Sequence, residues 1–111
     1  MVFNFKIHAR HFRDSTDFVD NCPLNLAFKE FYNKDISVGL STATIDNTIY
    51  NIICINNNTT YNGFNYNILY DILNKNKFVN KNIKGTLNKF KDLIRRKKKV
   101  GTIDIILLKK L

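Results

Sequence analysis

The side chains whose types invite chemistry are Cys22, His8 and His11. A thiol in the first turn of a helix feels the positive end of the helix dipole, and an imidazole within reach would serve as its base. Cys22 meets the first condition, because Pro23 follows it and a helical apolar pattern begins at Leu24. Nothing in the sequence orients His8 or His11 toward it, and cysteine is among the most often buried residue types. Cys22 is therefore expected to be buried and inert, with a cysteine-dependent enzyme as the remote alternative. A metal site assembled from His8, His11, Cys22 and Cys54 lacks zinc spacing: there is no Cys-x-x-Cys, the two His stand three apart, and Cys54 falls on a distant strand. No metal and no cofactor are expected. The glycines at 39, 63, 85 and 101 never cluster into a phosphate-binding loop. Asp14, Asp17 and Asp20 are spaced by three without the closing Glu of a calcium loop, so they read as solvated or capping residues. With no Ser/His/Asp grouping either, the chain is expected not to be an enzyme.

The sharpest feature is Arg95-Arg96-Lys97-Lys98-Lys99, preceded by Lys89 and Lys91. The net charge of +9 is unevenly placed: residues 1–74 hold five Lys/Arg against seven Asp/Glu, while residues 75–111 hold thirteen against two, a balance of +11. Cations near a helix C-terminus are favoured by its dipole, but five in succession exceed that need. These seven residues are the candidate contact for a partner, either a nucleic-acid backbone or an acidic protein surface. No aromatic series of the kind that stacks single-stranded bases lies beside them. The chain also carries 17 Asn, 14 Ile and 14 Lys, residues favoured by AT-rich codons, so codon usage supplies part of the lysine count.

Several elements must position these groups. Phe3, Phe5 and Ile7 alternate with Asn4, Lys6 and His8 as in a half-buried strand. Residues 9–20 are polar and aperiodic and read as a loop with one helical turn at most. Asn21 is the expected cap of a helix over about 22–32, whose core stripe is Leu24, Ala27, Phe28 and Phe31. Alternating Ile36, Val38 and Leu40, then Ala43 to Asp46 and Thr48 to Ile55 around an Asp46-Asn47 turn, predict two or three strands. Residues 56–63 read as a polar loop. Tyr66, Leu69, Tyr70 and Leu73 predict a second helix over about 65–75. Ile83, Leu87, Phe90 and Ile94 predict a third, secure from Thr86 and ending near Lys99, with residues 74–84 as a hinge before it. The β-branched run at 102–108 predicts a closing strand, central and buried on both faces.

At 111 residues, 44% of them hydrophobic, the chain has material for one modest core and not for two. The expected fold is a single α+β domain spanning 1–111, a mixed or antiparallel sheet of about 4–5 strands on about three helices. Its basic helix and strand occupy about 86–111. No apolar run reaches the length of a membrane span, no signal sequence is evident, and two cysteines make no disulfide framework. A reduced setting without membrane partners is expected.

Asn21-Cys22-Pro23-Leu24-Asn25-Leu26-Ala27, after a short strand and a His/Arg loop and before Ile36-Ser37-Val38, resembles a group of small uncharacterised tailed-phage proteins with an Asn-Cys-Pro-Leu-x-x-Ala helix start. The likeness covers about the first 55 residues; Asn25 and Leu26 replace what are more often small residues there, and the basic half has no counterpart. It implies a phage origin, in keeping with an AT-rich crAss-like genome, and it carries over no catalytic residue. The resulting expectation is a non-enzymatic phage accessory protein, a small virion component at the capsid or portal vertex, located in the virion. The alternative is a nucleic-acid-binding or anti-defence protein of the host cytoplasm during infection. Self-association in an assembly is left open.

Overall fold

The computed structural model describes residues 2–17, 21–78 and 85–111. Its elements run β1 (Val2–Ile7), α1 (Ala9–Asp14), α2 (Pro23–Tyr32), β2 (Ser37–Val38), β3 (Thr42–Ile45), β4 (Thr48–Asn56), β5 (Thr59–Asn62), α3 (Tyr66–Lys75), α4 (Thr86–Arg95) and β6 (Ile103–Lys109). This is an α+β domain whose strands pair only antiparallel, in the order β1-β6-β4-β3-β2, with β5 also on β4.

Strand β4 is the hub. Along one edge, Tyr50 to Asn56 pair with β6; along the other, β3 takes Thr48 to Asn51 and β5 takes Ile53 to Asn56, end to end. Ile52 closes the seam between them, donating its N–H to the Ser41 carbonyl at 3.0 Å and accepting from Gly63 at 2.7 Å. Gly63 is required there: its φ is +120, and a Cβ would stand 2.5 Å from the Leu40 carbonyl oxygen.

Both β4 hairpins close through two-residue turns with left-handed central residues, Asp46-Asn47 at φ 48 and 65 and Asn57-Asn58 at 49 and 67. Primed turns of this kind match the strand twist, and Asn and Asp tolerate the left-handed region. The first was expected. The second corrects the reading of residues 56–63 as a loop, since Asn-Asn there turns the chain into β5.

Local capping explains the helix ends. The Cys22 sulfur accepts from the Asn25 N–H at 3.5 Å, so the cap of α2 is Cys22 rather than Asn21. Asn65 caps α3 by accepting from the Ile68 N–H at 3.1 Å. The segment after β1 forms the six-residue helix α1, somewhat more than the loop with one helical turn that was expected. Helix α4 stops at Arg95, short of Lys99, because Lys97 turns left-handed at φ 58. The expected stripe position Ile83 and most of the expected hinge lie outside the described residues.

The helices cover one face of the sheet. Phe28 meets Phe3 and Phe5 edge-on at 5.3 and 5.6 Å, and Phe12 of α1 stacks on Phe90 of α4 at 4.5 Å. Phe28, Leu69 and Leu73 are fully buried as expected, whereas Phe31 is 47% exposed. Phe31 lies in the last turn of α2, at the margin of the sheet, where its ring meets those of Phe5 and His8. Leu40 is 77% exposed, because β2 ends at Val38 and Leu40 sits in the bend before β3. Strand β6 is central in the order, yet its Ile106 and Leu108 remain partly open, so it is not buried on both faces.

Candidate functional site

The seven basic residues singled out by the sequence divide into four groups. Lys91 is committed to structure, its Nζ donating to the Ser15 carbonyl at the end of α1 and tying that helix to α4. Arg95 and Arg96 both reach back to Asp92, at 2.7 and 3.3 Å, and the Arg95 hydrogen bond leads the effects that hold the Asp92 carboxyl below its usual range. The i, i+3 and i, i+4 spacing of these pairs is a helical geometry readable in the sequence. Lys89 is half-buried on the same helix.

Lys97, Lys98 and Lys99 are different. The Lys97 N–H bonds to the Ile94 carbonyl at 2.9 Å and the Lys98 N–H to the Leu93 carbonyl at 2.8 Å, the paired bonds of a Schellman cap. That cap carries the three lysines off the end of α4 into solvent. All three are exposed, and no ion pair joins them to another described residue.

Beside them lies a groove of about 280 Å³ that no sequence pattern announced. It is lined by Ile94, Ile103 and the buried Phe12–Phe90 pair, together with exposed Lys98, Lys99 and Ala9 and half-buried His8. The segment Val100-Gly101-Thr102 forms a further part of its wall. That segment is held by buried Asn56, whose amide donates to the Val100 and Thr102 carbonyls at 3.1 Å each. Gly101 is left-handed at φ +83, and a Cβ on it would lie 2.5 Å from the Asn57 side chain. The groove draws on two stretches far apart in the chain, 7–12 and 90–103, so no local pattern points to it.

His8 lines this groove and a second, wider one, whereas Cys22, Cys54, His11, Glu30 and Tyr61 line neither. Cys22 is fully buried, donates its thiol hydrogen to Asn25 Oδ1 at 2.7 Å, and is pushed up to about 11 by burial. Cys54 lies on β4, buried and pushed up to about 12 for the same reason. His11 is buried between α1 and α2. Its Nδ1 accepts the His8 N–H at 2.9 Å, so its Nε2 carries the hydrogen and donates to Glu30 at 2.8 Å. Arg10 grips the same Glu30 carboxylate at 2.9 and 2.6 Å, and that bond leads the causes holding Glu30 down at about 2. Tyr61 donates to Asp71 at 2.8 Å under Lys75, and burial raises its phenol. Of the Asp14, Asp17 and Asp20 series, Asp14 pairs with Arg13 and Asp17 accepts from the Asn21 N–H, while Asp20 lies outside the described residues. Among the described residues no three His, Cys, Asp or Glu side chains gather for a metal.

A wider groove, about 570 Å³, runs along β1 past Asn4, Lys6, Phe31, Asp104 and Ile106. Neither groove is lined by Cys22, Cys54, Glu30 or Tyr61, the residues with the strongest shifts. No described helix is long and apolar enough to cross a membrane. No protein-family model, curated protein or solved structure matches this chain.

Proposed function

We propose that the chain is a non-enzymatic phage accessory protein, a small virion component that docks on an acidic surface through the end of α4. The observation that carries this reading is the Schellman cap at Lys97, which projects three exposed lysines that form no ion pair among the described residues, while Arg95 and Arg96 share Asp92. A run serving only to cap the helix would end with the dipole, within the last turn.

The test compares two variants for binding to poly-glutamate and to duplex DNA across a salt series. Substituting Lys97, Lys98 and Lys99 with Gln is expected to weaken binding at least tenfold and to flatten its salt dependence, on DNA by about one unit of log–log slope for each phosphate no longer neutralised. Substituting Arg95 and Arg96 with Gln should do less, because Asp92 already offsets their charge. Wild-type binding in the lysine variant sinks the docking reading. Placement in the virion is tested separately: mass spectrometry of purified particles should find stoichiometric copies, and their absence moves the protein to the infected cell.

A further inference from the structure

We infer that the groove beside Lys98 and Lys99 receives a single large apolar side chain from an acidic peptide segment of a partner protein. This rests on the docking reading above and narrows the partner to one chemistry. A phosphate backbone needs cations but no apolar cavity, and the aromatic rings present are not available to bases. Phe12 and Phe90 are buried and lie nearly parallel, 9° apart, against each other. Base stacking needs an open aromatic face, and this groove offers aliphatic Ile94 and Ile103 instead.

The groove's size sets the occupant's size. At about 280 Å³ it falls at the lower edge of small-molecule sites, which span about 300–1,000 Å³. It suits one side chain such as Leu or Phe and not a whole helix face. Carboxylates flanking that residue would meet Lys98 and Lys99, so the apolar group supplies affinity and the charges supply approach and register. The wall is preformed. Asn56 fixes both ends of Val100-Gly101-Thr102, and the Schellman cap fixes where the lysines leave the helix. Preorganisation of this kind lowers the ordering cost of binding.

The experiment measures binding of labelled peptides in which Asp and Glu flank a central Leu, beside the same peptide with a central Ala and a duplex DNA. The Leu peptide is expected to bind about 10- to 100-fold tighter than the Ala peptide, the worth of burying one such side chain. Thr102→Trp fills the groove from an exposed rim position without touching a lysine. It should erase the Leu–Ala difference by bringing the Leu peptide down to the Ala peptide's affinity; Ala9→Phe, from another exposed lining position, should do the same if Thr102→Trp folds poorly. Lys98→Gln with Lys99→Gln should weaken both peptides. Equal affinity for the two peptides, or DNA binding with no peptide binding up to millimolar concentration, overturns this inference. In either case, sensitivity of the remaining ligand to the lysine substitutions leaves the docking reading standing. No effect of those substitutions on any ligand removes both.

Discussion

Ile52 and Ile53 are neighbours on β4, and their fates differ. Ile52 faces the helices and is buried; Ile53 faces away and is only half-covered, opposite Ile106 of β6 and Asn62 of β5. The same division runs through the sheet. On the helix side, Phe5, Ile7, Ile105 and Leu107 are buried, while the other side leaves Val2, Ile49 and Leu108 exposed at 51%, 47% and 38%. That outer face mixes aliphatic residues with Asn4, Asn51 and Asn62 and is nearly uncharged, holding Lys6 and Asp104 4.0 Å apart across β1 and β6. Hydrophobic composition therefore does not by itself say which face is core. Strand propensity alone can place β-branched residues outward, where cross-strand neighbours provide part of their contact.

The largest test of this contrast is alanine substitution at the two neighbours. Ile52→Ala removes fully buried methyl groups and should cost about 2–5 kcal/mol, whereas Ile53→Ala should cost about 1 kcal/mol or less. Urea denaturation of both variants reads the difference. Equal losses would mean that the outer face is covered in solution.

A backbone change at the seam should come next. Gly63→Ala places a Cβ against the Leu40 carbonyl at a φ of +120, and is expected to cost about 1–3 kcal/mol without altering either face. Gly39→Ala, where the nearest atom would be 3.3 Å away, is the matched control and should be milder. If the two prove equal in thermal unfolding, the end-to-end meeting of β3 and β5 is less tight than the geometry requires.

The smallest effect expected is on pH dependence, and it belongs to the helix side alone. Burial leads the causes that lower the His11 pKa below its ordinary 6.5, and protonating Nδ1 would break its bond from the His8 N–H. Below about 6.5 the unfolded chain then binds a proton that the folded chain refuses, so stability falls as pH drops from there to the lower folded value. Glu30, held at about 2 by Arg10, contributes stability above its ordinary 4.5 that is lost as pH falls from 4.5 toward 2. Urea midpoints measured across pH should show both declines in the wild type and only the lower one in His11→Gln. An unchanged upper decline in that variant would assign it to another group.

Much of the fold was legible because its signals are local. Strand β1, helices α2 and α3 and the first hairpin follow from alternation, from three-and-four spacing and from an Asp-Asn turn, all of which act within a few residues. Residues 59–62 do not read as a strand because Thr-Thr-Tyr-Asn is polar, and what makes it one is the free edge that β4 offers once β3 has ended. The end of α4 falls earlier than its pattern suggests, since a run of good helix formers contains no local stop and Lys97 turns left-handed without glycine.

For the candidate site, the chain by itself determined the cations, their number and their place after an amphipathic helix. Helical spacing accounts for Arg95 and Arg96 through Asp92, whereas tertiary structure committed Lys91 through Ser15 and set an apolar groove beside Lys98 and Lys99. That groove joins the end of β1 and the start of α1 to the end of α4 and the start of β6, segments about ninety residues apart in the chain. They meet because β6 inserts between β1 and β4, a pairing set by which strand edges are left to fill and written in no single stretch of sequence.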